Sequence, residues 1–365
     1  MPALREHEDG EVARRAQVCT DLPVAPDTPP MEARLVAELP EGPGWQFEPK
    51  WDGFRCLAFR SGDRVDLRAK SGKPLGRYFP EVIETLRRLP ADRFVLDGEL
   101  ALPVGDSLSF DALQMRLHPA ESRIRKLARE TPALLILFDL LVAPGGRDLT
   151  SQPLDRRRAE LETLWAGLAD TGGLRITPFT RERAEAERWL GRLGGALDGV
   201  VAKRLDGPYE PGERSMLKAK RLRSADCVVG GFRYASGARQ VGSLLLGLFG
   251  PDGLLHHVGY TSTISAADRP GLTARLEALV EPPGFTGRAP GGPSRWSTER
   301  SAAWEPLRPD LVVEVRYDHV TGDRFRHGTK LLRWRPDKAP RQCGTEQLEA
   351  EARPAALIAR MVGAA

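Results

Sequence analysis

The chain is poor in metal-binding and thiol side chains: its 365 residues include four cysteines and six histidines. Cys19, Cys56, Cys227 and Cys343 are scattered without a Cys-x-x-Cys pair, which argues against a zinc site and a disulfide framework. His118, His256, His257, His319 and His327 show no ligand spacing and read as structural. Long apolar runs are missing too. The longest, Ala133 to Leu141, is interrupted by Asp139 and is too short to span a bilayer. The first residues are charged rather than apolar, so no secretory signal is read there and a cytoplasmic protein, not a membrane one, is expected. A large excess of one charge is also lacking. Lys+Arg 54 against Asp+Glu 50 leave +4, too mild by itself to identify a nucleic-acid partner. No internal repeat is visible.

What is present is unevenly distributed. Residues 320–342 hold seven basic side chains and two acidic ones, and residues 203–223 hold seven against three. Such patches suit a polyanion, or equally a solvated basic face. The length suits two or three domains with sizeable cores.

The first ordered pattern is Trp45-Gln46-Phe47-Glu48-Pro49-Lys50-Trp51. At strand period, Trp45 and Phe47 share one face while Gln46, Glu48 and Lys50 share the other. Pro49 has no N–H, so the strand must lie at an edge or end there. Gly53 permits a tight turn or the close approach of a phosphate. Phe54–Phe59 and Arg64–Arg68 flank Ser61-Gly62-Asp63, a hairpin signal, and Lys70–Pro74 reads as a loop. Pro80 opens a short amphipathic helix. Phe94–Leu102 is a strand interrupted at Asp97-Gly98-Glu99, and Leu134–Leu141 a fully apolar strand inside a sheet. Helical patterns cover Asp155–Leu168 and Thr180–Leu193. Strands return at Asp198–Lys203 and Ser215–Lys220, with Lys218 and Lys220 on one face. From about Ala225, strands at Cys227–Phe232, Ser243–Phe249, Leu254–Thr261, Leu311–Val315 and within Arg324–Trp334, with a helix at Ser265–Val280, suggest a small OB-type barrel. Pro282–Ser294 reads as a long mobile loop and Gln347–Met361 as a terminal helix interrupted at Pro354.

Taken singly, the polar residues have ordinary readings. Glu48 or Glu99 alone is a surface or salt-bridged carboxylate, Phe138 alone is core, and Arg333 and Arg335 are a solvated strand face. Asp52 and Asp139 read as loop-fixing hydrogen-bond acceptors, and Lys203 is open between an ion pair and chemistry. Their order along the chain changes this. Lys50-Trp-Asp-Gly-Phe-Arg55, Leu96-Asp-Gly-Glu99, Leu137-Phe-Asp-Leu140, Asp198-Gly-Val-Val-Ala-Lys203, Leu217-Lys-Ala-Lys220 and Arg335-Pro-Asp-Lys338 resemble the six motifs of the covalent nucleotidyltransferases. Within that superfamily the chain resembles the ATP-dependent DNA ligases, and most of all the small bacterial ligase C type, over about Leu22 to Gln347.

The resemblance implies an α+β architecture. Residues 22–223 would form an ATP-grasp-like adenylation (nucleotidyltransferase) domain with antiparallel sheets and flanking helices, and 224–346 an OB-fold β-barrel. Residues 1–21 would be a flexible extension and 347–365 a helical tail. It implies a monomer that seals nicks in duplex DNA, with ATP as adenylate donor and Mg2+ or Mn2+ as metal, and repair polymerases or end-binding proteins as partners. Lys50 would carry AMP, Glu48 would accept the adenine amine and Phe138 would stack on the base. Arg55 and Glu99 would contact the ribose and the nick. Glu99 and Asp198 would be metal ligands, although Asp198 is shorter than the Glu of many relatives. Lys70 and Arg55 would grip the 5′-phosphate, where Lys70 replaces an Arg and cannot form a fork. Lys218 and Lys220 would hold the α-phosphate, and Arg335, Asp337 and Lys338 would orient the departing pyrophosphate. NAD as donor is not expected, because the cysteine-containing module of NAD-using ligases has no counterpart.

The chemistry sets a requirement of its own. A lysine amine must be neutral to attack phosphorus, while free lysine titrates near 10.4. One cation at about 5 Å opposes the ammonium by roughly 3 kcal/mol at an effective dielectric of 20. Lys218, Lys220 and a divalent metal are therefore expected to activate Lys50. The competing readings are an RNA ligase, an mRNA-capping guanylyltransferase, and a non-catalytic OB-type DNA-binding protein.

Overall fold

The computed structural model describes residues 19, 21–105, 107–168, 172–192, 197–220, 223–291, 303–318 and 320–349. The expectations for 1–18, for the end of the Pro282–Ser294 loop and for most of the terminal helix lie outside these residues. The chain divides into two compact units, with the break between 220 and 221.

Among the described residues, the first unit holds two main sheets, a two-stranded pair at Pro103–Val104 and Ser107–Leu108, and a short strand, Arg147–Asp148, on the edge of Leu134–Ala143. The main strands are β1 (Ala33–Val36), β2 (Trp45–Trp51), β3 (Phe54–Ser61), β4 (Arg64–Ala69), β5 (Arg93–Ala101), β6 (Leu134–Ala143), β7 (Leu174–Ile176), β8 (Leu197–Arg204) and β9 (Met216–Ala219). One sheet has the order β1-β9-β8-β2, the other β7-β6-β5-β3-β4. The ladders of these sheets are antiparallel, as expected, except at β1/β9 and β7/β6, which are parallel edge pairs. β2 is an edge strand, as Pro49 required: it pairs with β8 on one side, and on the other meets a bridge from Phe47 to Thr180. That bridge also shortens the expected 180–193 helix to Arg183–Arg192. β5 runs unbroken through Asp97-Gly98-Glu99, with a bulge against β6.

Helices cover Pro80–Arg88, Phe110–Met115, Glu121–Glu130 and Leu154–Ala166. The second and third were not legible in the sequence. Glu121–Glu130 buries only Ile124 and Ala128, so its apolar stripe is too thin to register. A core containing Phe79, Leu86, Leu96, Leu135 and Leu161 lies under the larger sheet. Another, with Phe47, Trp51, Ile136, Trp189 and Val200, backs the smaller one.

The second unit is built on β10 (Arg223–Tyr234), β11 (Val241–Phe249), β12 (Leu255–Thr261), β13 (Val312–Tyr317) and β14 (Lys330–Trp334), in the order β12-β11-β10-β13-β14. A helix at Arg269–Glu277 lies between β12 and β13. This is the strand order of an OB fold. The expected barrel is open among the described residues: its edges meet at an isolated Thr261–Thr329 bridge rather than along a ladder.

Candidate active site

Strand period places the side chains of β2 before any tertiary contact does. Trp51 points into the core and donates from Nε1 to Thr177 Oγ1 at 2.9 Å. Glu48 and Lys50 point the other way and line a cleft of about 1030 Å³. Gly53 turns the chain at its wall, where a Cβ would lie 2.0 Å from the Leu100 carbonyl oxygen. No other residue fits there. The cleft also collects Arg55, Lys70, Glu99, Phe138, Lys203 and Lys218.

At Lys50 the charges alternate. Its Nζ lies 2.6 Å from Asp198 Oδ2, and Lys220 Nζ lies 2.9 Å from Asp198 Oδ1. Asp198 can make this approach because Gly199 follows it at φ +144°, packed so that a Cβ would meet the Ala219 carbonyl at 2.1 Å. Burial pushes the Asp198 carboxyl up, but Lys50 and Lys220 outweigh it and hold the group below its usual value. Lys218 is pushed down, first by burial and then by the neighbouring ammonium groups of Lys50 and Lys220. The expected cation cluster therefore exists, but a carboxylate sits inside it.

A second group surrounds Phe138. Glu48 and Lys203 form an ion pair of 2.8 Å whose side chains are 3% and 6% exposed. Gln46 Nε2 donates to the other Glu48 oxygen at 2.8 Å. Lys203 Nζ and the Arg55 guanidinium each lie 4.6 Å from the Phe138 ring centroid. Arg55 is locked in a fork on Asp97, with Nε–Oδ1 2.5 Å and Nη2–Oδ2 2.6 Å, and Tyr209 donates to the same carboxylate at 2.7 Å. The sequence motifs assign no role to Asp97 or Tyr209. A carboxylate in the middle of an apolar strand is the signal that could have identified Asp97.

Glu99 accepts from the Gly53 N–H at 3.2 Å. Burial raises its carboxyl to about 7, against the pull of Lys50 and Arg55 and with help from Asp52 and Asp97. The folded protein thus binds this proton more tightly than the unfolded chain does. Stability from this group is complete below about 4.5 and is lost as pH rises to about 7. In a series of thermal melts without ligand, the wild type should lose up to about 3 kcal/mol between pH 5 and 8 through this group. Glu99→Gln should flatten that fall, and an unchanged slope would contradict the assignment.

Lys70 stands at the cleft rim, more than half exposed and paired with Glu32 at 2.8 Å. Among the described residues, no group of three or more His, Cys, Asp and Glu is placed to hold a metal. Glu99 and Asp198 offer two carboxylates, and both Asp198 oxygens are engaged by lysines. This donor set does not make a protein cage for a divalent cation. It does suit a metal that arrives with substrate phosphates and keeps most of its ligands from them and from water.

In the second unit, Arg335 Nη1 reaches Asp226 Oδ1 at 2.8 Å and Lys338 Nζ reaches Asp226 Oδ2 at 2.7 Å. Arg335 Nη2 also donates to Asp337 at 2.9 Å. That contact, with a backbone hydrogen bond, holds the Asp337 carboxyl near 2. Asp226 lies outside the sequence motifs, although it too is a carboxylate in an apolar strand.

A family profile described as "ATP dependent DNA ligase domain" matches residues 30–220, and another, "ATP dependent DNA ligase C terminal region", matches 237–338. The sequence is 47% identical over 347 residues to DNA ligase C2 of Mycolicibacterium smegmatis, covering 90% of this chain and 96% of that protein. It is 44% identical to DNA ligase C of Mycobacterium tuberculosis, over 90% of this chain and 95% of the relative. A solved structure of a Lig E DNA ligase has the same fold, with a TM-score of 0.53 at 16% identity, covering 84% of this chain and 100% of that one. The lysine-bearing cleft, the two-unit architecture and the matched sequence agree, and the chain belongs to the ATP-dependent DNA ligase family.

Proposed function

We propose that Lys50 is the nucleophile that carries AMP from ATP to the 5′-phosphate of a nick in duplex DNA. The observation that carries this reading is the placement of Lys50 on the floor of the cleft with Lys218, Glu48, Phe138, Arg55 and Glu99 around it. Lys50 Nζ leaves its pair with Asp198, loses a proton to solvent and attacks the α-phosphorus. A nitrogen–phosphorus bond forms, and the bond to the pyrophosphate oxygen breaks. Lys218 and Lys220 are cations beside this lysine and can offset charge on the α-phosphate as it develops. Arg335, Asp337 and Lys338 are assigned to orienting the leaving pyrophosphate.

Glu48 reads the base. Gln46 and Lys203 each engage one of its oxygens and leave lone pairs for an amine donor. The Phe138 ring offers a stacking face. The nick 5′-phosphate, held by Arg55 and Lys70, then displaces the Lys50 amine from phosphorus. Finally the 3′-hydroxyl attacks that 5′-phosphorus and AMP leaves. A divalent metal bound with the phosphates would neutralise part of their charge, and Glu99 and Asp198 are the residues that would hold it.

We assign residues 22–223 to adenylation and 224–346 to an OB domain that closes over ATP and then presents to DNA. The buried free thiols of Cys19, Cys56, Cys227 and Cys343 suit a reducing cytoplasm. Purified protein should seal a 5′-phosphorylated nicked DNA duplex with ATP. The rate at subsaturating DNA should fall steeply with salt as phosphate contacts are screened. Sealing that prefers GTP, NAD or a nicked RNA duplex would overturn the substrate assignment.

A further inference from the structure

Asp226 lies six residues after Lys220, on the first strand of the second unit, between the buried Ala225 and Cys227. Its side chain is 12% exposed and faces two cations, with Arg335 Nη1 at 2.8 and 3.1 Å from its two oxygens and Lys338 Nζ at 2.7 Å. Its main chain is clamped as well. Gln347 Oε1 accepts from the Asp226 N–H at 3.0 Å, and Gln347 Nε2 donates to the Asp226 carbonyl at 3.2 Å. Directly across the ladder stands Glu314, which takes Arg333 Nε at 2.7 Å. Two carboxylates opposite one another on adjacent strands repel, so this arrangement does not serve the sheet itself. It serves the segment 333–338, whose cations are fixed at both ends by these carboxylates.

We infer that Asp226 is the positioning residue for the pyrophosphate-orienting cations: it holds Arg335 and Lys338 in one preset fork for the attack on ATP. Without it, Arg335 would keep its contacts with Asp337, but Lys338 would lose its carboxylate and the spacing of the two cations would no longer be fixed. With it, the carboxylates of Asp226 and Asp337 balance the charges of Arg335 and Lys338, so Asp226 contributes the placement of the cations rather than a net charge. Only the first step uses these cations, so Asp226 acts on that step alone. The inference rests on the adenylation role given to Arg335 and Lys338 above.

The test uses full-length protein carrying Asp226→Asn or Asp226→Glu and measures two reactions. One is the rate and ATP dependence of lysyl-adenylate formation. The other is the closure of a nicked duplex supplied already adenylated at its 5′-phosphate, without ATP. Asp226→Asn should slow adenylate formation by about 100-fold at saturating ATP, the scale of a misplaced catalytic group. It should close the pre-adenylated nick within about 3-fold of wild type, a difference too small to reflect a lost catalytic contact. Asp226→Glu, which keeps the charge, should recover part of the loss. Equal losses in both reactions would reduce Asp226 to a structural role, and an unimpaired first step would overturn the inference. If wild-type protein forms no adenylate at all, it is the lysine reading that has failed.

Discussion

Lys50→Arg should form no adenylate and seal no nicks, a loss of at least about 10⁴-fold from the wild-type rate. The substitution keeps a cation facing Asp198, whose carboxylate lies 2.6 Å from Lys50 Nζ and also holds Lys220. The charge balance behind the cleft is therefore retained, and the melting temperature should move little. What disappears is the nucleophile. A guanidinium stays protonated throughout the working pH range and has no free amine lone pair to offer phosphorus. Single-turnover labelling with ATP reads this directly, and a thermal melt confirms that the variant is folded. Residual adenylation near the wild-type rate would mean that another side chain carries AMP.

The second large effect is expected at Lys203. Its ammonium is buried against Glu48, with the Phe138 carbonyl 3.4 Å away. Lys203→Met removes one half of a buried ion pair and leaves the carboxylate uncompensated, at a cost of about 3–5 kcal/mol. ATP use should fall with it, because Glu48 then keeps only its Gln46 contact to orient it towards the base. Glu48→Gln combined with Lys203→Met separates the two consequences. The neutral pair should recover most of the stability in chemical denaturation, since no buried charge remains. Discrimination of ATP from GTP in adenylate formation should not recover, since the anionic acceptor is gone. If the double variant is as unstable as Lys203→Met alone, or selects ATP as sharply as wild type, the pairing has been misread.

These two sites also show where the sequence was informative. The edge position of β2 followed from Pro49, and its two-faced pattern from strand period, because both are local properties. The same is true of the hairpin at Ser61-Gly62-Asp63. The motif resemblance then directed attention to Glu48, Lys50, Arg55, Glu99, Phe138, Lys203 and Lys218, which one cleft collects. Partner choice was not local and could not be read. Asp198 sits between Lys50 and Lys220 because a glycine lets β8 approach β9, a fact of pairing rather than of pattern. The parallel edge pairs and the incompletely closed OB sheet are likewise set by strands far apart in the chain.

One regularity links what was missed. Asp97, Asp139 and Asp226 each interrupt an apolar strand, and each holds an arginine that comes from elsewhere: Arg55, Arg157 and Arg335. A charged residue within an otherwise buried strand is costly unless it is paired. Such positions therefore predict that a partner exists without naming it. Asp139 was expected to fix a loop, and instead it anchors the Leu154–Ala166 helix through Arg157 at 2.8 Å. The other two hold the arginines proposed above for the site, Arg55 and Arg335, so the same device anchors a helix in one place and orients proposed site residues in two.

The central claim is that AMP becomes bonded to Lys50, and peptide mapping by mass spectrometry tests it most directly. Wild-type protein incubated with ATP and Mg2+, then digested without acid, should carry one AMP on the peptide containing Lys50 and release it on acid treatment. An AMP adduct on any other residue, or none from active protein, would contradict the account.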